Sequence, residues 1–297
     1  MKEDIGIIEK NDTWKLVDKP KTEMNKFMST NRKAFKLEEL KIKSENEATL
    51  YVKKAKGGDV LVVSLYVDDI LVTGSNKAMV NQFKQEMETK FEMSELGEMN
   101  YFLGMEIHQA TDGIFISQRK YAWDVLKKFK MEKSTRPDLM FTASFLSRFM
   151  HSPIQIHLRI AKRTLRYIKG TVDYGIWFKR EEQGQLMGYS DSDWAESVDM
   201  KSTSGYAFTV GSGMFSWNSR KQDVVAQSSA EAEYIAAAGA SNQALWLRKI
   251  LRDLEKNQIE ATVIKVDNKS SISMAKNPLQ HGRSKHINVK FHTIGQV

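Results

Sequence analysis

Three short acidic signals in the last third of the chain have the residue types and spacing to do chemistry. Leu186–Ala195 reads Leu-Met-Gly-Tyr-Ser-Asp-Ser-Asp-Trp-Ala, an apolar strand running straight into Asp191 and Asp193. Carboxylate oxygens at a strand end are what a hard divalent cation needs. Ser228–Ala236 places Glu231 and Glu233 at the start of a helix, and Val263–Asn268 is another apolar strand ending in Asp267. Ser228-x-x-Glu231 fits a capping box, in which Glu231 reaches back to the cap N–H and is structural. Any one of these acids alone is better explained as a solvated strand end or a helix cap. Strand-Asp191, helix-Glu233, strand-Asp267, in that order, points instead to one carboxylate cluster. Asp193 faces the same side as Asp191 if the strand continues, one step back from the cluster.

A second acidic site lies upstream. In Val60–Ser75, two β-branched runs flank Asp68-Asp69, which reads as a hairpin with the acids at its turn. A bare Tyr-x-Asp-Asp is a weak signal, because Asp-Asp turns are common. Residues 151–180 hold Arg159, Lys162, Arg163, Arg166, Lys169, Lys179 and Arg180 against the single acid Asp173, leaving +6 of the chain's +8 in one segment. A charge run is usually a solvated helix face; acidic metal-site motifs directly after it favour a phosphate partner here. His281, His286 and His292 lack the spacing of a zinc site, and there is no cysteine to complete one. Arg283, Lys285 and His286 suit phosphate contacts better.

The wording of these strings resembles a known family. Lys201-Ser-Thr-Ser-Gly-Tyr206, Ser216-Trp-Asn-Ser-Arg-Lys-Gln222, Ala230-Glu-Ala-Glu-Tyr234 and His281-Gly-Arg-Ser-Lys-His-Ile287 look like the ribonuclease H region of copia-type long-terminal-repeat retrotransposon Pol polyproteins. Tyr66-Val-Asp-Asp69 with its flanks resembles the metal-holding signature of a reverse transcriptase. The resemblance covers most of the chain. It implies a partial reverse-transcriptase palm and connection followed by a ribonuclease H-like mixed sheet, an α/β (α+β) fold. It also implies Asp191, Glu233 and Asp267 as ligands of Mg²⁺ (or Mn²⁺) in two-metal cleavage of RNA in RNA–DNA hybrids, with Lys162, Arg163, Arg166, Lys169, Arg283, Lys285 and His286 holding the nucleic acid.

The sequence departs from that family at two functional places. Asn288 stands where the family has a fourth catalytic carboxylate, so it offers a carbonyl oxygen and no charge. The family's first polymerase aspartate has no counterpart in 1–60: Lys33-Ala34-Phe35 is a faint match, and Thr30 falls at the corresponding place. Two-metal transfer needs carboxylates from both strands, so Asp68 and Asp69 alone are not expected to polymerise. Three functions stay open: a residual ribonuclease H, a nucleic-acid-binding protein without catalysis, and a decayed element remnant.

At 297 residues, 41% hydrophobic and 28% charged, the chain reads as globular. Its lack of cysteine removes disulfides and thiol nucleophiles, and its net charge of +8 points to a polyanion. No apolar run approaches the roughly 20 residues of a membrane span, and the first residues form no secretory signal. An intracellular, cytoplasmic or nuclear, protein is expected.

The elements that must position the acids follow from pattern. Residues 1–59 are a degenerate leading segment, with loop or weak helix from about 19 to 47. Residues 60–134 are the partial palm. There Met79, Val80, Phe83, Met87 and Phe91 mark one helix, Thr111-Asp112-Gly113 a hairpin turn, and Tyr121, Val125, Leu126 and Phe129 a second helix. Having lost palm strands, the Val60–Ser75 hairpin is expected to expose its edges. Residues 135–175 form a basic helical connection, with Ile156, Ile160, Ala161, Leu165 and Ile168 inward. Residues 176–297 are the ribonuclease H-like unit: Ile176–Lys179 leads into a three-stranded antiparallel start and then a helix with Leu247, Ile250, Leu251 and Leu254 inward. A parallel strand, a short helix and a last helix near 285–294 complete it.

Overall fold

The computed structural model describes residues 25–29 (backbone), 46–55, 58–67, 69–90, 93–128, 136–180, 184–194 and 200–276. It is a mixed α/β structure with three sheets.

The first sheet contains strands β1 (Asn25–Ser29), β2 (Leu50–Lys54), β3 (Val60–Tyr66), β4 (Asp69–Gly74) and β5 (Met93–Glu98), in the order β2-β3-β4-β1-β5. Alternating apolar residues bury one face of the β3–β4 hairpin through Leu61, Val63, Ile70 and Val72. Helix α1 (Lys77–Lys90) covers that face with Val80, Phe83 and Met87, and Met79 packs at the margin. Asn76 starts the helix, its Oδ1 accepting from the Ala78 N–H at 2.8 Å. Two expectations are corrected here. Asn25–Ser29, placed in a loop or weak helix, is a strand, and the hairpin's edges are not exposed. β2 pairs with β3 and β1 with β4, so both sides are covered. The lysine- and asparagine-rich composition around 25–29 hid a strand whose backbone the neighbouring ladders hold. Phe91 lies outside the described residues.

The second sheet is a meander of β6 (Tyr101–Phe102), β7 (Met105–Gln109), β8 (Gly113–Ser117) and β9 (Gly175–Lys179). Gly113 and Gly175 let β8 and β9 approach: an added Cβ would lie 2.3 Å from the Phe178 carbonyl or 2.4 Å from that of Ile116. Expected to lead into the next sheet, β9 pairs along its whole length with β8 instead. Helix α2 (Arg119–Lys128) buries Ala122 and Val125, with Tyr121 and Leu126 packed alongside; Phe129 lies outside the described residues.

Helices α3 (Met140–Ser147) and α4 (Gln155–Gly170) follow a short 3-10 turn at Pro137–Leu139. Ile168 joins the α2 core, but Ile156, expected inward, is exposed. The buried stripe runs through His157 and Thr164, with Ile160, Ala161 and Leu165 partly covered. His157 turns inward because its Nδ1 accepts from the Ile154 N–H at 3.2 Å and its ring stacks on Phe149 at 4.0 Å. That rotates the helix away from the purely apolar stripe.

The third sheet has the order β12-β11-β10-β13, with β10 (Leu186–Ser192), β11 (Thr203–Val210), β12 (Gly213–Lys221) and β13 (Val263–Lys265). The first three strands are antiparallel neighbours and β13 is parallel to β10. Helix α5 (Ser229–Asp253) packs on it through Ala240, Ala244 and Leu247 against Leu186 and Phe208, with Leu251 at the edge. Ile250 and Leu254 are only partly covered, because the tightest burial lies in the alanine-rich first half of the helix, not at the leucines. Helix α6 (Lys269–Lys276) ends the described chain; the helix expected near 285–294 lies outside it.

Candidate functional site

The acids of β10 and β13 come together because those strands run parallel. Tyr189 pairs with Lys265, so Asp191 and Asp267 each sit two residues beyond one rung of the ladder, at the same sheet edge. Asn268 then turns the chain into α6, its Oδ1 capping that helix through the Ser271 N–H at 3.0 Å. The start of α5 meets this edge from the helix-covered face. Ser228 caps it, accepting from the Glu231 N–H at 3.2 Å, and Glu231 accepts from the Gln227 N–H at 2.6 Å. Glu231 thus plays the structural part expected, but to the residue before the cap. Glu233, on the next turn, points to the sheet edge.

Asp191, Glu233 and Asp267 each bring one carboxylate oxygen within 4.8 Å of the others. Asp191 and Asp267 are exposed, while Glu233 is 5% exposed. One Glu233 oxygen accepts from the Ser192 N–H at 3.0 Å, a donor shared with Asp191 Oδ1 at 2.9 Å. The other, Oε2, is buried with no hydrogen-bond partner. Burial pushes the Glu233 pKa from 4.5 up to about 7; the Ser192 N–H pulls it down, and the charges of Asp191 and Asp267 add to the rise. Two like charges 4 Å apart repel by about 4 kcal/mol at an effective dielectric of 20. A cation removes that repulsion and gives the orphaned oxygen a partner. The residues present therefore fit a hard, oxygen-liganded cation such as Mg²⁺ or Mn²⁺.

Asp193 does not join the cluster. Its carboxylate accepts from the Thr203 N–H, and its own N–H donates to the Thr203 carbonyl at 3.2 Å, pinning β10 to β11. Asn288, Arg283, Lys285 and His286 lie outside the described residues, as does Asp68. Asp69 opens β4, opposite Tyr66 on β3 and Met28 on β1. Val67, just before it in sequence beyond Asp68, has φ +52°, a left-handed conformation unusual for a β-branched residue.

Along α4, Arg159, Lys162, Arg166 and Lys169 are exposed, and their spacing makes one stripe. Arg163 lies nearer the third sheet. It lines a cleft of about 880 Å³ that also takes in Tyr167, Tyr189, Asp191 and Trp217. Sequence reasoning named Arg163 but missed the aromatic walls, whose residues Phe141, Tyr167, Tyr189, Tyr206 and Trp217 come from five separated segments. It also passed over Ser192, which acts through its backbone, and Gln222, quoted only as part of a family string. No helix among the described residues is long and apolar enough to cross a membrane.

Residues 26–139 match the family described as reverse transcriptase (RNA-dependent DNA polymerase). The retrovirus-related Pol polyprotein from transposon RE1 of Arabidopsis thaliana is 31% identical, over 85% of this chain and 20% of that protein. Its counterpart from transposon TNT 1-94 of Nicotiana tabacum is 30% identical, over 86% of this chain and 23% of that protein. An uncharacterized mitochondrial protein of Arabidopsis thaliana is 30% identical over 61% of this chain and 92% of its own length. The chain spans about a fifth of the length of the transposon polyproteins it matches.

Proposed function

The chain belongs to the copia-type, retrovirus-related Pol polyproteins of transposons, and on that premise we propose that residues 176–297 form a ribonuclease H that cuts RNA in RNA–DNA hybrids. In this reading residues 60–134 are a palm that no longer polymerises, and 135–175 are the basic connection between the two. The observation that carries the reading is the meeting of Asp191, Glu233 and Asp267 at one sheet edge.

Asp191, Glu233 and Asp267 would hold Mg²⁺ or Mn²⁺, which when bound would supply an activated water and stabilisation of the leaving 3′ oxygen. The chain's own residues do the rest. Asp191 and Asp267 present oxygens on the open side, where a phosphate can approach. Ser192 holds one Glu233 oxygen through its N–H, and the other is buried with no hydrogen-bond partner. Lys162, Arg163, Arg166 and Lys169 bind the backbone of the hybrid electrostatically, a mode that reads charge and not sequence. Such a protein works inside the cell, in the cytoplasm or nucleus, where its substrate is.

Asn288 favours a second reading, a nucleic-acid-binding chain or decayed remnant without cleavage, because one carboxylate of the family's set is missing. The two are separated by incubating the full chain with a hybrid carrying end-labelled RNA across a Mg²⁺ titration. Metal-dependent cleavage that Asp191→Asn abolishes supports the ribonuclease; equal cleavage by both proteins removes it. Hybrid binding with no cleavage at any Mg²⁺ or Mn²⁺ concentration leaves the second reading.

A further inference from the structure

Gln222 follows the last residue of β12, at the seam where the third sheet meets the start of α5. It is 6% exposed. Its backbone N–H donates to the Ser202 carbonyl at 2.8 Å. Its side-chain Nε2 stands 2.9 Å from the Ala232 carbonyl, 2.9 Å from Ser204 Oγ and 3.2 Å from Ser192 Oγ. Two N–H bonds thus serve three acceptors, while Oε1 is buried without a partner. Burying an amide this way is costly unless its donors are needed where they are.

The three acceptors sit on three elements, and two adjoin the carboxylate cluster. Ser192 follows Asp191, and its N–H holds Glu233 Oε1 at 3.0 Å. Ala232 directly precedes Glu233. Ser204 lies on β11, the strand between β12 and β10. One side chain therefore fixes where the acidic end of β10 lies relative to the helix turn that delivers Glu233. Two other buried atoms without partners, Ser190 Oγ and Glu233 Oε2, belong to the same two elements.

We infer that Gln222 is a positioning residue for the cation cluster: its amide sets the separation of Asp191 and Glu233 so that both reach one ion. The inference rests on the cation-site reading above and adds a residue that touches neither ion nor substrate. Partners that orient metal ligands through a hydrogen bond shift metal affinity by roughly 10–100-fold when removed.

The test is Mn²⁺ binding to the full chain, titrated with MnCl₂ and read by electron paramagnetic resonance, beside the melting temperature of the metal-free protein. Gln222→Met keeps the length and loses the donors. It should weaken the Mn²⁺ Kd at least tenfold while the metal-free protein still melts cooperatively. A lowered melting temperature with an unchanged Kd would make Gln222 a packing residue only and overturn the inference. Absence of Mn²⁺ binding by the unmutated chain would instead overturn the cation site itself, and this inference with it. If Gln222→Met does not fold, Ser192→Ala/Ser204→Ala removes two acceptors and leaves the Ser192 N–H on Glu233. Unchanged affinity in that variant overturns the inference; a several-fold loss supports it.

Discussion

Glu233→Gln should stabilise the cation-free protein most at pH 8 and much less at pH 5. The side chain keeps its shape, and its amide oxygen can still accept from the Ser192 N–H. What changes is the charge in a position that is 5% exposed and faces two other acids. With its pKa raised from 4.5 to about 7, Glu233 resists ionisation in the folded state while the unfolded chain ionises freely. The sign follows. Below pH 4.5 both states hold the proton and nothing is lost; between 4.5 and about 7 stability falls as pH rises, and above 7 the loss is complete. At about 1.4 kcal/mol per pH unit the loss reaches about 3 kcal/mol. Glutamine removes it, for a gain on the order of 5 °C in melting temperature at pH 8.

The assay is thermal unfolding of the two proteins in EDTA at pH 5, 6, 7 and 8, read as the difference between them. Added Mn²⁺ should reverse the order at pH 8, since a cation that binds only the folded unmutated chain stabilises it by mass action. A difference that stays flat from pH 5 to 8, or a variant less stable throughout, would refute the electrostatic account of the cluster. The pH dependence without a reversal by Mn²⁺ would locate the cation elsewhere.

Asn288→Asp should raise hybrid cleavage tenfold or more, each tenfold being about 1.4 kcal/mol, and Asp191→Asn in the same background should abolish the gain. Unaltered cleavage with an intact circular dichroism spectrum would exclude position 288 from the site. Primer extension by the chain should not exceed that of an Asp68→Asn/Asp69→Asn control; any excess would show a working polymerase centre. Replacing Lys162, Arg163 and Arg166 with Ala should flatten the slope of log affinity against log salt by about 0.9 for each phosphate no longer neutralised. An unchanged slope would move the footprint off α4. A fragment starting at 184 should fold as well as one starting at 176, because β9 makes its ladder with β8 and not with β10. A marked loss of stability without residues 176–183 would contradict that.

The third sheet was legible because its strands are what their residues say. Leu186–Ser190 alternates buried and half-buried positions, and strand-Asp, helix-Glu, strand-Asp is the order that the family resemblance implies for one cluster. Asp191, Glu233 and Asp267 were legible as a set for that reason. Asn25–Ser29 was not: a strand between two others takes its conformation from ladder hydrogen bonds that composition does not report. The same holds for β9, whose pattern permits a strand but whose partner depends on glycines 113 and 175, far apart in sequence. The inward face of α4 failed at Ile156 because a buried histidine, satisfied by a backbone N–H, outcompeted an isoleucine. Gln222 escaped notice for a related reason. Its role is to donate from a buried amide, and only the positions of its acceptors reveal it.

The arrangement of α4 ties the basic stripe to the acidic edge. Arg136 pairs with Asp138 and donates to the Thr171 carbonyl at 2.9 Å, just past the end of the helix. Tyr167 donates to Asp138 at 2.8 Å, and burial, then the Asp138 charge, pushes its hydroxyl pKa up. This network fixes the rotation of α4 about its axis. Arg148, just past α3, donates to Thr203 Oγ1 at 3.1 Å, on the residue whose N–H holds Asp193. The helical connection is thereby fastened to the strand ends that carry the site. With that rotation set, Ile160, Arg163 and Tyr167 turn to the cleft shared with Asp191, while Lys162 and Arg166 stay outside it. A phosphate backbone lying along the outer stripe would have Arg163 between it and the carboxylates. A cation at the cluster would then meet a polyanion already held beside it, which makes binding and cleavage separable by mutation: the α4 variants should lose affinity with their metal site intact, and the cluster variants the reverse.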